Sequence, residues 1–215
     1  NFKFVLSKTV LTEGINFIPA NPIGLPAISD IDNDGDLDIL TFSSGSFMMS
    51  YYINQSKELG YNCDSLIFNL APGCFGHFKE TSCSATLVSC KEVNPDSAFE
   101  NQQYQETIYP NNKEPKVLDN GSSCSLCLDM NGDGDKELVL GQSNCCKMSI
   151  LTNGGTPTVA NMTSVTSDFP SSNMPVNLEQ NPCGYFLDVN NDSKRDLLDY
   201  PSIPNLSINN KSIWY

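Results

Sequence analysis

Short bursts of apolar residues separated by polar turns run along the whole chain. Residues 2–10, 37–42, 47–53, 66–70, 137–140, 148–151 and 207–214 are rich in β-branched and aromatic side chains, and several of these runs alternate apolar with polar. A period of two puts successive side chains on opposite faces of a strand. Gly, Pro, Asn and Ser break the chain every few residues, with 13 Pro and 14 Gly among 215 residues. No stretch carries a sustained helical period. The pattern predicts an all-β fold of many short strands. Residues 94–115 depart from it: they are polar, centred on Asn101-Gln102-Gln103, and read as a long exposed insertion.

Three segments align without gaps. They are Asp30-Ile31-Asp32-Asn33-Asp34-Gly35-Asp36-Leu37-Asp38, Asp129-Met130-Asn131-Gly132-Asp133-Gly134-Asp135-Lys136-Glu137 and Asp188-Val189-Asn190-Asn191-Asp192-Ser193-Lys194-Arg195-Asp196. The shared frame is D-x-[DN]-x-D-[GS]-x-x-[DE], with apolar residues on both sides. Asp129 lies 99 residues after Asp30, and Asp188 lies 59 after Asp129. A unit of roughly 60 residues suits a four-stranded propeller blade with generous loops. The longer interval then holds one blade and an insertion. The units fall around 27–62, 124–160 and 184–215, with a cysteine-rich and polar insertion at about 63–115.

Carboxylates this crowded repel one another, and a hard divalent cation removes the repulsion. Calcium takes about six to eight oxygens in flexible geometry, whereas Mg²⁺ avoids cages made wholly of protein. Positions 1, 3, 5 and 9 supply side chains: Asp30, Asp32, Asp34 and Asp38; Asp129, Asn131, Asp133 and Glu137; Asp188, Asn190, Asp192 and Asp196. Position 7, which is Asp36, Asp135 or Lys194, supplies its backbone carbonyl, the one role a Lys can fill there. Gly35 and Gly134 permit the sharp turn. An EF-hand shares the first half of this signature but needs a Glu at position 12 and flanking helices. Position 12 is Thr41, Leu140 and Asp199, and the flanks read as strands. The expectation is therefore a strand–loop–strand hairpin around each of up to three Ca²⁺ ions. The third is the weakest, with Ser193 in place of Gly.

These loops resemble the FG-GAP/VCBS repeats of integrin-α-like β-propellers. Asp30-Ile-Asp-Asn-Asp-Gly-Asp-Leu-Asp-Ile-Leu followed by Tyr51-Tyr-Ile-Asn, and Gly184-Tyr-Phe-Leu-Asp-Val-Asn-Asn-Asp-Ser-Lys-Arg-Asp-Leu-Leu, are similar to repeats of large secreted Bacteroidetes proteins. The resemblance covers about half the chain. It implies calcium-stabilised blades, type IX export and display at the cell surface. The Phe-Gly-Gly-Ala-Pro element is absent, so integrin-like ligand recognition is not implied. Ser212-Ile-Trp-Tyr215 resembles Met49-Ser-Tyr-Tyr52 within the first unit. The chain therefore reads as cutting the repeat mid-blade, as part of a larger propeller.

Charge narrows the partners. Twelve Lys and Arg against 25 Asp and Glu give a formal charge of −13. Such a chain repels nucleic-acid phosphates and anionic lipid. No apolar run approaches the ~20 residues of a membrane span. Nine cysteines, Cys63, Cys74, Cys83, Cys90, Cys124, Cys127, Cys145, Cys146 and Cys183, point to disulfides in an oxidising compartment rather than to zinc, given the single His77. A bridge from Cys124 or Cys127 to Cys145 or Cys146 is expected, with Cys63, Cys74, Cys83 and Cys90 stapling the insertion. Asn54, Asn120, Asn161, Asn205 and Asn210 head N-glycosylation triplets. No catalytic motif occurs outside the acidic loops, and a lone histidine is a poor basis for a triad. The reading is a secreted or cell-surface bacterial module that binds a glycan or a protein, the rest of its own propeller, or a secretion or outer-membrane partner. The alternatives are the propeller domain of a polysaccharide-degrading enzyme, or a passive secretion cargo.

Overall fold

The computed structural model describes residues 11–13, 16–19, 24–42, 47–61, 65–89, 123–178 and 180–202. The expected strands at 2–10 and 207–214, and the polar stretch at 94–115, lie outside them. The described chain is all-β. Its strands are β1 (Thr12–Glu13), β2 (Asn16–Phe17), β3 (Ala27–Ser29), β4 (Asp38–Phe42), β5 (Met49–Asn54), β6 (Phe68–Leu70), β7 (Phe78–Thr81) and β8 (Ser84–Leu87). They continue as β9 (Cys124–Leu128), β10 (Glu137–Gly141), β11 (Met148–Asn153), β12 (Met162–Thr166), β13 (Pro170–Ser171), β14 (Met174–Pro175), β15 (Pro182–Leu187) and β16 (Asp196–Pro201).

Two four-stranded antiparallel meanders dominate. The first runs β3-β4-β5-β6 and the second β9-β10-β11-β12, each in sequence order. A third unit begins with the hairpin β15–β16, in register from Pro182↔Pro201 to Leu187↔Asp196. In all three, the acidic loop joins the first two strands of the unit. The first strands are themselves neighbours, with β9 lying beside β3 on one side and β15 on the other. The Ser125 amide donates to the Leu25 carbonyl across this seam at 2.9 Å.

Apolar residues sit where the pleat sends them. Every residue of β4 and β10 is buried, because each strand is the interior of its sheet and each sheet is covered on both faces. Leu40 and Phe42 join Leu138, Leu140, Leu151 and Met162 in one core between the first and second units. Val139 and Met148 point the other way, into a second core with Phe186 and Leu197 of the third unit. Ile39 and Tyr52 face a third cluster with Leu11 and Ile18. Alternate residues of one strand thus serve two different cores, which explains runs such as Glu137-Leu-Val-Leu that lack a polar face.

The hairpin β7–β8 is tied into this stack. Phe75 and Phe78 are buried in the first core. Phe78 meets Phe42 edge to face at 6.4 Å, and Phe75 meets Tyr51 at 5.5 Å.

The cysteine pairing differs from expectation. Cys83 bridges Cys145, and Cys124 bridges Cys183, while Cys74 is also disulfide-bonded. Cys124 does lie level with Gly141, as a hairpin requires. Its side chain, however, is on the strand that abuts β15, where Cys183 comes within 5.2 Å Cα to Cα. Gly141 permits that approach: a Cβ there would lie 1.6 Å from the Pro182 carbonyl oxygen. Cys127 and Cys146 are free among the described residues. Two disulfides point to an oxidising, extracellular environment. No helix among the described residues is long and apolar enough to cross a membrane.

Candidate metal centre

The three acidic loops share one backbone. Position 4 (Asn33, Gly132, Asn191) and position 6 (Gly35, Gly134, Ser193) all have positive φ, between 62° and 94°. Glycine and asparagine tolerate this region, whereas a serine is strained there. The position-9 acid also plays one role throughout. It accepts the amide of position 2: Ile31 to Asp38 at 3.1 Å, Met130 to Glu137 at 2.8 Å and Val189 to Asp196 at 3.1 Å. That bond closes each loop on the start of the second strand.

Loop one concentrates the charge. Carboxylate oxygens of Asp30, Asp32 and Asp34 lie within 4.8 Å of one another, as do those of Asp34, Asp36 and Glu58. Asp30 Oδ1, Asp34 Oδ2 and Asp36 Oδ1 are buried and receive no hydrogen bond. Asp38 stands apart from this group. Its Oδ2 accepts the Tyr51 hydroxyl at 2.9 Å in addition to the Ile31 amide, and its Oδ1 accepts the Asn54 amide at 2.8 Å. Burial pushes Asp38 up to about 6 in spite of those donors. Burial also raises Asp32, reinforced by Asp34, and raises Asp36 against the opposing Lys57 amide. Desolvated, mutually repelling carboxylates hold protons more tightly; a cation placed among them reverses that preference.

Loops two and three spend more oxygens on their own backbone. Asp129 accepts the amides of Gly132 and Gly134 at 2.7 and 3.1 Å. Asp188 accepts those of Asp192 and Ser193 at 3.1 and 2.8 Å. In each loop the position-3 amide side chain donates to position 5, Asn131 to Asp133 and Asn190 to Asp192. The amides of Asp135 and Lys194 cap Asp133 and Asp192. Burial, aided by Asp133, raises Asp135. Glu137 is 2% exposed, and its Oε1 has no partner. Among the described residues no carboxylate of loop two belongs to a group close enough to share a metal ion.

The loops are also joined. The Asn33 side chain donates to the Gly134 carbonyl at 2.7 Å and accepts from Lys136 Nζ at 3.1 Å. Beside them opens a cleft of about 410 Å³ lined by Ser29, Asp30, Cys127, Leu128, Asp129, Lys136, Phe186 and Arg195.

Two site features were invisible in the sequence pattern. Glu58 lies in the turn after β5, twenty residues past the end of loop one, and only the fold of that turn brings it to Asp34. Asp36 was expected to act through its carbonyl, yet its carboxylate belongs to the acidic group. His77 sits elsewhere, with Nδ1 3.1 Å from Asn161 Oδ1. Asn54 is buried and bonded to Ser56, which removes it from the glycan acceptors.

No family model matches the chain, and no curated protein or solved structure matches it either.

Proposed function

We propose that this chain is a calcium-stabilised β-propeller segment of an exported protein, and that it binds rather than catalyses. The observation that carries the reading is the set of buried carboxylate oxygens without donors in loop one, Asp30 Oδ1, Asp34 Oδ2 and Asp36 Oδ1, within its two groups of convergent acids. A buried, unsatisfied carboxylate costs several kcal/mol unless a cation accompanies it. All-oxygen donors in a flexible turn fit Ca²⁺ better than softer or smaller ions. When bound, the ion neutralises the loop and fixes the hairpin.

The propeller reading draws support from meanders stacked through apolar cores, with their first strands side by side. The bacterial cell surface and type IX export rest on the resemblance of the loops, and the disulfides agree with an exported chain. The non-enzymatic reading rests on the ligand set. Donors drawn from alternate residues of one tight turn, closed on one side by Glu58, leave little room for a substrate water.

The test is thermal unfolding with EDTA and with added Ca²⁺ or Mg²⁺. Calcium should raise the melting temperature in a concentration-dependent way, and Mg²⁺ much less. A melting curve indifferent to calcium would refute the metal reading. Turnover of a polysaccharide, abolished by a substitution outside the loops, would refute the binding reading.

A further inference from the structure

The cleft beside the loops has a composition that metal binding would transform. Its two cations, Lys136 and Arg195, are a notable share of the 12 in a chain with 25 acids. Neither forms a salt bridge among the described residues, although Asp30 and Asp129 line the same cleft. Lys136 donates one bond to Asn33 and keeps its remaining donors. The Arg195 guanidinium lies over the Phe186 ring, 6.0 Å from its centroid, so its plane is held while its fork stays available. Asp30 and Asp129 are the first residues of loops one and two. A divalent cation in each loop offsets part of this carboxylate charge and so weakens the repulsion that opposes an anion at Lys136 and Arg195.

We propose that this cleft binds the carboxylate of an acidic sugar once loops one and two hold their cations. The inference rests on the metal reading above. A guanidinium fork and an ammonium lining one cleft suit a carboxylate. Phe186 offers apolar surface to a pyranose ring, and Ser29 offers a hydroxyl. A volume of about 410 Å³ suits a small molecule or the end of a chain rather than a protein loop. The dependence on calcium follows from charge: with empty loops, two carboxylates face the incoming anion.

Calorimetric titration of the whole chain tests this with galacturonate, tetragalacturonate and galactose, each in millimolar calcium and in EDTA. Galacturonate should bind saturably in calcium and at least about tenfold more weakly in EDTA. Galactose, which lacks the carboxylate, should not bind. Tighter binding of the tetramer identifies a glycan chain end as the ligand, and equal binding identifies a free sugar acid. Arg195→Ala and Lys136→Ala should each weaken galacturonate by about tenfold, while the calcium-induced rise in melting temperature persists. If calcium stabilises the protein but galacturonate does not bind, or galactose binds equally, the cleft proposal is overturned and the metal reading stands. If calcium has no effect on melting, the metal reading falls and takes this one with it.

Discussion

Replacing Asp199 with Asn should make the protein more stable, and increasingly so as pH rises. Asp199 lies on β16, paired with Gly184. It is 0% exposed, and among the described residues neither carboxylate oxygen accepts a well-formed hydrogen bond, although the neighbouring Tyr200 amide opposes the effect of burial. It occupies the position filled by Thr41 and Leu140 in the other units, on the face turned to the preceding unit. Thr41 solves the problem with a bond to the Pro19 carbonyl, and Leu140 has no polar atom to satisfy. Burial pushes the Asp199 carboxyl from 3.8 up to about 7. The unfolded chain therefore ionises this group first. Its contribution to stability is intact below pH 3.8, is lost progressively up to about pH 7, and stays lost above that. At 1.36 kcal/mol per pH unit the full loss is about 4 kcal/mol. Asn is nearly isosteric and does not titrate. Urea unfolding in saturating calcium, with disulfides intact, measures the difference between Asp199→Asn and the parent. That difference should be about 2 kcal/mol at pH 5 and about 4 kcal/mol at pH 8. Equal differences at the two pH values would show that Asp199 is not held neutral by burial, and the reasoning would fail.

Three further outcomes are expected. Ser193→Gly should stabilise by about 1 kcal/mol, since Ser193 has φ 69° where the other two loops carry glycine; a lower melting temperature would contradict the strain argument. Leu140→Ala, at a fully buried site in the core between the first two units, should cost about 2–5 kcal/mol by urea unfolding. Asp34→Ala should remove the larger part of the calcium-induced rise in melting temperature, because Asp34 belongs to both acidic groups of loop one; Glu58→Gln should reduce it less. Equal effects of these two substitutions would place the ion nearer Glu58.

What was legible in the sequence was local. The frame Asp30–Asp38 and its two counterparts carry their own turn chemistry, so the hairpins could be read from spacing alone. The expected run at 37–42 matches β4 (Asp38–Phe42), and that at 137–140 matches β10 (Glu137–Gly141), because these two strands are buried on both faces and so carry apolar residues in succession. Strands such as β9 (Cys124–Leu128) and β15 (Pro182–Leu187), with Ser, Cys and Gly among their residues, were less evident. Cysteine pairing escaped because the partners come from different units. Cys124 and Cys183 each lie five residues before the first Asp of a loop, so the bridge joins equivalent positions, and no contact within one hairpin reveals it. Glu58 escaped for the same reason: its partner Asp34 is distant in sequence. The role of Asp38 as a buried acceptor for Tyr51 and Asn54 depends likewise on β5 lying against β4.

The two bridges interleave along the chain: Cys124 lies between Cys83 and Cys145, and Cys145 lies between Cys124 and Cys183. Tension applied across this region would therefore follow a short route through both sulfur pairs, doubling back only over the stretch from Cys145 to Cys124. Sheet strands outside that stretch can peel apart without lengthening the covalent path between Cys83 and Cys183. A protein tethered at one end and pulled by fluid shear would release here only the 21 residues from Cys124 to Cys145, about 70 Å when extended, in place of the 100 residues between Cys83 and Cys183, before a sulfur bond had to break.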